Sequence, residues 1–240
     1  NSVAMGNSTG FKVTFKPTGT GPRWAYLSIT NDDNNEDPYT FYLKGTGTDP
    51  EIRIVGNSVE IAHEAVDNTG PGESDTTTND HTNFGSADID NDTTTVRVFT
   101  IYNDGNGLLT LSGNPIVEKA GLHSGDFFVT PPTTSTVNPY GGNISFQVTF
   151  NPNGIGTRWA YLSIANDDET ENPYTFYIKG TGTNPQMHVE GNTRLIGNGD
   201  EYPRVLDHTD FEGVDIDNDA STIREFTIKN TGNGTLTLSG

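Results

Sequence analysis

Residues 11–47, FKVTFKPTGTGPRWAYLSITNDDNNEDPYTFYLKGTG, return almost unchanged at 146–182 as FQVTFNPNGIGTRWAYLSIANDDETENPYTFYIKGTG. The 135-residue offset from Phe11 to Phe146 far exceeds the roughly 20–50-residue period of solenoid repeats, so each unit is long enough to own a core. The chain is an array of domains. A second pair, VRVFTIYNDGNGLLTLSG at 96–113 and IREFTIKNTGNGTLTLSG at 223–240, is offset by only 127 residues, so the later copy is eight residues shorter. The shortening falls between Asp49-Pro50 and Phe84, or Asn184-Pro185 and Phe211. That stretch is rich in Gly, Asp, Asn and Thr and reads as a loop tolerant of length change.

These offsets divide the chain into the C-terminal part of one repeat (1–48), a complete repeat (49–182) and the N-terminal part of the next (183–240). Asn1 matches Thr136 and Gly240 matches Gly113, so neither partial unit has a counterpart of 114–135, which carries GDFFVTPP. Both ends fall inside repeats, and the expectation is a window from a much longer chain, a polymer, or a fragment.

Hydrophobic residues make up only 31%, but they cluster in short alternating runs and not in the scattered manner of a disordered chain. No window carries a 3.6-residue period, which points to an all-β fold. The net charge of −19 repels phosphate backbones and anionic lipid, so neither nucleic acid nor direct membrane insertion is expected, whereas divalent cations suit it. Cysteine is absent, and no run of about 18 apolar residues exists to span a bilayer.

Alternation assigns strands and faces. Phe146, Val148 and Phe150 share one face. Between Arg158 and Ile164 two sets compete, Ala160/Leu162/Ile164 and Trp159/Tyr161/Ser163. Tyr174, Phe176 and Ile178 oppose Thr175, Tyr177 and Lys179. Further strands are expected at 51–55, 96–102, 108–112 and 126–129, separated by turns at NDGNG (103–107), NPNGIG (151–156) and NDDETENP (166–173). About seven short strands at these spacings predict tandem immunoglobulin-like antiparallel β-sandwiches, without the Cys and Trp hallmarks of antibody domains.

PEIRI (50–54), FGSADI (84–89), FTIYNDGNGLLTLSG (99–113), DFFVTPP (126–132), FQVTFNPNGIGTRWAYLSIANDD (146–168) and NPYTFYIKGTG (172–182) resemble the choice-of-anchor D repeats of bacterial surface proteins. Those are similar to the ASH (ASPM, SPD-2, Hydin) immunoglobulin-like domains. The resemblance implies a secreted, multi-domain cell-surface protein, in Bacteroidota often an adhesin or stalk, with the giant adhesins of gliding bacteria as one setting. It assigns no catalytic residue. This chain departs from the usual pattern in carrying Trp24 and Trp159 where a small polar residue is common.

Three groups of residues are candidates for chemistry. Asp88, Asp90 and Asp92 in DIDND, repeated as Asp215, Asp217 and Asp219, offer hard oxygens to calcium, which takes six to eight of them, or they simply form Asx-turns. Asn31-Asp-Asp33 and Asn166-Asp-Asp168 read as hairpin turns, with metal binding only where the loop meets the DIDND turn of an adjacent domain. Trp159, Tyr161 and Tyr177, repeated as Trp24, Tyr26 and Tyr42, form an outward aromatic face that packs on protein, within or between chains, or stacks on sugar. The alternative is an inward Trp. Of the five histidines only the Asp-His pairs at 80–81 and 207–208 recur, and a loop hydrogen bond suits them better than catalysis or zinc. No nucleophile elbow, phosphate loop or HExxH occurs, so no enzyme activity is expected.

The leading expectation is a semi-rigid stalk of a secreted surface adhesin or filament. Its partners are neighbouring repeats of the same chain, other protofilaments or surface polysaccharide, and calcium is expected at the joints. A carbohydrate-binding repeat using the Trp/Tyr face is the alternative, and a spacer in a secreted hydrolase a third.

Overall fold

A computed structural model describes residues 2–67, 69–72, 75–90, 94–217 and 220–239. Among them the chain is all-β, and its only helical turns are 3-10 turns at Ser124–Asp126 and Val205–Asp207. The first part contributes the hairpin β1 (Gly21–Ile29) and β2 (Tyr39–Gly47). The central part holds β3 (Ile52–Gly56), β4 (Val59–Ile61), β5 (Asn83–Asp88), β6 (Thr95–Asn103), β7 (Leu109–Thr110) and β8 (Glu118–Ala120). It continues with β9 (Phe127–Thr130), β10 (Thr136–Val137), β11 (Gly142–Phe150), β12 (Gly156–Ile164) and β13 (Tyr174–Thr183). The last part supplies β14 (Met187–Gly191), β15 (Arg194–Ile196) and β16 (Phe226–Asn230).

Two sheets of the central part, ordered β4-β3-β6-β11-β9 and β5-β13-β12-β8, enclose one apolar cluster. One sheet sends in Ile52, Ile54, Phe99, Ile101, Phe127, Phe146, Val148 and Phe150, and the other Phe84, Ala87, Ala160, Leu162, Ile164, Tyr174, Phe176 and Ile178. Period-two alternation therefore selects Ala160/Leu162/Ile164 as the core face of β12. Six phenylalanines, 84, 99, 127, 146, 150 and 176, are fully buried, each contributing on the order of 2 kcal/mol of apolar transfer energy. They interlock: Phe99 stacks on Phe146 at 5.4 Å and meets Phe176 across the sheets at 5.8 Å, while Phe84 lies 6.0 Å from Phe150.

The expected pairing needs one correction. β5 joins β13 in parallel, Lys179 facing Asn83 and Thr183 facing Asp88, with an irregularity between Lys179 and Thr181. Alternation reports which face a residue occupies and says nothing of strand direction, so this pairing was invisible to it. The strand expected at 108–112 shrinks to Leu109–Thr110 plus a bridge from Leu111 to Asn166.

The chain enters the central part at one end and leaves at the other. The Ile52 N–H donates to Asp168 just before β13, at 3.0 Å, whereas Asn184 follows β13 at its far end. Each junction is clamped by the Gly-rich turn after β6 or β16. Asp49 N–H donates to the Asn106 side chain at 2.8 Å, and Asp49 O accepts from the N–H groups of Asn106 and Gly107 at 3.0 Å. The buried Asn103 amide accepts from the Glu51 and Gly105 N–H groups and donates to the Gly107 and Val137 carbonyls. The second junction repeats this: Asn184 N–H donates to Asn233 at 2.7 Å, Asn233 N–H donates back to Asn184 O, and Asn230 accepts from Gln186 and Gly232. A side chain at Gly105 or Gly232 would collide with this linker backbone, a Cβ falling 2.3 Å from Asp49 O or 2.1 Å from Asn184 O.

Candidate functional site

The aromatic set occupies the outer face of β12 and β13, as the core assignment requires, but in the central part that face is covered. Trp159 is only 8% and Tyr177 only 4% exposed, with their rings edge-on at 6.1 Å. Tyr161 is half-buried beside Tyr177. The cover is the segment after β4. The Glu64 N–H donates to Thr175 O, the Thr175 hydroxyl donates to Glu64 O, and His63 Nδ1 accepts from Thr175 N–H at 3.1 Å. These bonds occupy the edge of β13 that β5 reaches only from Lys179 onward. The Glu64 carboxylate then accepts from Tyr177 N–H at 3.1 Å, the Tyr177 hydroxyl accepts from Asp67 N–H at 2.7 Å, and Gly70 lies on the Trp159 ring. A Cβ at Gly70 would sit 2.8 Å from that ring. Burial pushes the Glu64 carboxyl above its ordinary value, partly offset by the Tyr177 N–H. On the other flank, Gly121 packs on the indole, and His123 Nδ1 accepts from Trp159 N–H at 3.2 Å. Burial and the Arg158 charge lower the His123 pKa, which keeps that nitrogen free to accept.

Of the alternatives for this outward face, the central part shows packing on protein within the chain: Trp159 and Tyr177 lie against a strap of their own chain. The same face of the first hairpin is open, with Trp24 65%, Tyr26 58% and Tyr42 72% exposed. Tyr26 and Tyr42 lie 5.3 Å apart, and the Lys44 ammonium sits 4.9 Å over the Trp24 ring. The strap also accounts for the unequal offsets. Ile61 is followed by 18 residues before the Asp80-His-Thr turn, and Ile196 by ten before Asp207-His-Thr, so all eight missing residues come out of this segment. Its composition carries no periodic signal, so sequence reasoning missed His63, Glu64, Asp67 and Gly70 as partners of the aromatic face.

Both Asp-His turns fold alike. Asp80 accepts from the N–H and hydroxyl of Thr82, and Asp207 from those of Thr209. His81 and His208 take left-handed φ values of 69° and 68°. They are turn residues, and no second histidine converges on either among the described residues.

The acidic candidates separate. Asp88 accepts from Asp90 N–H and Asp215 from Asp217 N–H, each at 3.0 Å, so both are Asx-turns. Asp92 and Asp219 lie outside the described residues. Three carboxylates gather elsewhere: oxygens of Glu51, Asp168 and Glu171 lie within 4.8 Å of one another at the entry end. Burial pushes Asp168 upward, but the N–H of Ile52 and the N–H and hydroxyl of Thr170 together hold it below 3.8. Glu171 is raised by burial and by Asp168, and Glu51 by burial and by Asp168, Asp49 and Asp104. Both oxygens of Asp168 are occupied by donors, Oδ2 by Ile52 and Oδ1 by Thr170. The trio therefore offers a cation well under the six to eight oxygens that calcium prefers.

No protein-family profile matches the chain, and no curated protein matches it in sequence. Among solved structures it is similar to a protein of unknown function from Porphyromonas gingivalis, with 14% identity, TM-score 0.38, and coverage of 70% of this chain and 69% of that one. It is similar to the secreted serine protease VesC from Vibrio cholerae at 14% identity and TM-score 0.34, over 43% of this chain and 22% of that one. The VesB protease of the same organism gives 16%, 0.31, 42% and 29%. Likenesses this distant transfer no activity.

Proposed function

We propose that the chain is a structural segment of a long, secreted bacterial cell-surface adhesin or filament, in which tandem immunoglobulin-like sandwiches form a semi-rigid stalk. The clamped junctions carry this reading. Thr48 is the only residue between the β2 pairing and the Asp49 clamp, and Thr183, still paired with Asp88, is followed at once by the Asn184 clamp. A linker with at most one unpaired residue has little backbone entropy to spend on bending. The repeat motifs, which resemble choice-of-anchor D units, support the same assignment, as do the absence of cysteine and the strongly acidic balance. Nothing in the site points to catalysis: its hydrogen bonds are consumed in holding the strap. Small-angle scattering on the chain tests the stalk, which requires an extended particle; a distribution typical of a freely jointed chain would dismiss it.

Glycan binding is a second reading, favoured by one observation, the open face of Trp24, Tyr26 and Tyr42. Loss of polysaccharide retention on Trp24→Ala, with unchanged unfolding, supports it; equal retention by the variant dismisses it. Calcium at the joints is proposed on the entry-end carboxylates, Glu51, Asp168 and Glu171, with water supplying the oxygens that the trio lacks. A calcium-dependent rise in Tm that Glu171→Gln abolishes supports that proposal, and superimposable melting curves with calcium and with chelator dismiss it.

A further inference from the structure

We propose that Asn106 and Asn233 are deamidation sites gated by the joints they close: a shut clamp protects each, and conversion of an opened clamp to isoaspartate keeps that joint loose. The proposal rests on the clamps themselves and holds or fails whatever the shape of the stalk.

The clamp's geometry calls for the labile dipeptide. The residue that returns to the linker must carry a short side-chain acceptor: the Asn106 amide oxygen takes the Asp49 N–H at 2.8 Å, and the Asn233 amide oxygen takes the Asn184 N–H at 2.7 Å. The residue after it must lack a side chain, because the linker lies on it. A Cβ at Gly107 would fall 3.1 Å from Asp49 C and Pro50 N, and one at Gly234 3.0 Å from Thr183 Cβ and 3.1 Å from Pro185 N. Asn followed by Gly is therefore built into both joints, and glycine is the residue whose nitrogen attacks a preceding side-chain amide with least steric hindrance. Asn106 is half-buried and Asn233 exposed, so water and base reach both. Two further Asn-Gly pairs, 153–154 and 198–199, lie off the linkers.

Base removes the Gly107 N–H proton, and the nitrogen attacks Asn106 Cγ. The new N–Cγ bond closes a succinimide as the Cγ–Nδ2 bond breaks and Nδ2 leaves as ammonia. Water then opens the ring: cleavage of the N–Cγ bond gives aspartate, and cleavage between that nitrogen and the main-chain carbonyl carbon gives isoaspartate. One water is consumed and one ammonia released, with no oxidant or reductant.

The shut clamp opposes the first step. Gly107 N–H donates to Asp49 O at 3.0 Å while the Asn106 oxygen is held by the Asp49 N–H, so the nitrogen keeps its proton and the amide is not free to turn towards it. As in amide exchange, reaction proceeds through the open population. Isoaspartate inserts one backbone atom between the N–H groups of residues 106 and 107, which share Asp49 O. The two can then no longer converge on that oxygen. The product also adds a carboxylate next to Asp49 and Asp104, whose charges already bear on Glu51.

The 240-residue chain is incubated in mildly alkaline buffer, folded and in denaturant, and its peptides are mapped by mass spectrometry. Asn106 should convert on the order of 100-fold more slowly when folded, the effect of three hydrogen bonds of ordinary net strength, and Asn233 at least about tenfold more slowly. Gly105→Ala, which crowds the first linker, should speed Asn106 at least about fivefold and leave Asn153 and Asn233 at wild-type rates. Gly232→Ala should speed Asn233 and spare Asn106, and it replaces the first variant should that one lose the central melting transition. In chains isolated with isoaspartate at 106, the Asp49 amide should exchange at least about tenfold faster than in unconverted chains. Asn106→Asp, which keeps an acceptor without the extra backbone atom, should raise that exchange less. Equal folded and unfolded rates at both joints, a variant effect spread evenly over all Asn-Gly pairs, or unchanged Asp49 exchange after conversion overturns the proposal. Scattering from the unconverted chain tests the stalk separately, so the two can fail independently.

Discussion

Glycines and carboxylates at the entry end show how single residues set the joint. At Gly105 a Cβ would meet backbone atoms of the linker on three sides, Asp49 O, Glu51 N and Pro50 C, all within 2.8 Å. Backbone cannot swing aside as a side chain does, so Gly105→Ala should cost at least about 1 kcal/mol and lower Tm, which calorimetry reads. Gly154→Ala is the matched control: its nearest neighbour is the flexible end of Arg158, so its effect should be smaller. The carboxylate trio gives opposing pH dependences. Asp168, held below 3.8, contributes stability above about pH 4 that is lost as pH falls through its folded value. Glu171, raised above 4.5, binds its proton more tightly when folded, so its contribution is full below about pH 4.5 and lost as pH rises through the folded value. Glu171→Gln keeps a donor for Asp168 and removes the charge. The variant should therefore be more stable than wild type near neutral pH, by about 0.5 kcal/mol given its partial exposure, with the difference vanishing near pH 4 in denaturant titrations.

Two aromatic faces of nearly the same sequence sit in opposite surroundings. Trp159→Ala opens a void under the strap and should destabilise by about 3 kcal/mol. Trp24→Ala removes an exposed ring and should shift stability by less than about 0.5 kcal/mol. Equal effects in thermal unfolding would contradict the strap's role. Strand positions and faces were legible because β12 and β13 alternate cleanly between Ala160, Leu162, Ile164, Phe176 and Ile178 inside and Trp159, Tyr161 and Tyr177 outside. What lies on the outer face was not legible, because residues 62–79 have neither periodicity nor a copy of equal length; their eight extra residues were the one trace. The parallel seating of β5 was hidden for a different reason, since FGSAD alternates identically in either direction. In the DIDND motif Asp88 and Asp215 each accept a turn N–H, a role that spacing alone does not separate from ligation.

Across the whole molecule, the proposed stalk would draw its stiffness from the joints more than from the sandwich. Entry and exit lie at opposite ends of β13, and each linker is bonded to a turn that its own repeat carries, NDGNG at 103–107 and NTGNG at 230–234. One clamp per repeat sets the direction of the chain at every passage, so stiffness should accumulate with repeat number without contacts between repeat surfaces. The account therefore stands or falls on the extension of the single molecule. Small-angle scattering of the 240-residue chain should give a maximum dimension of about 100 Å, three strand lengths end to end, and a cross-section that does not change with salt. A compact particle near half that length, or an ensemble that needs several bend angles at Asp49 or Asn184, would contradict it.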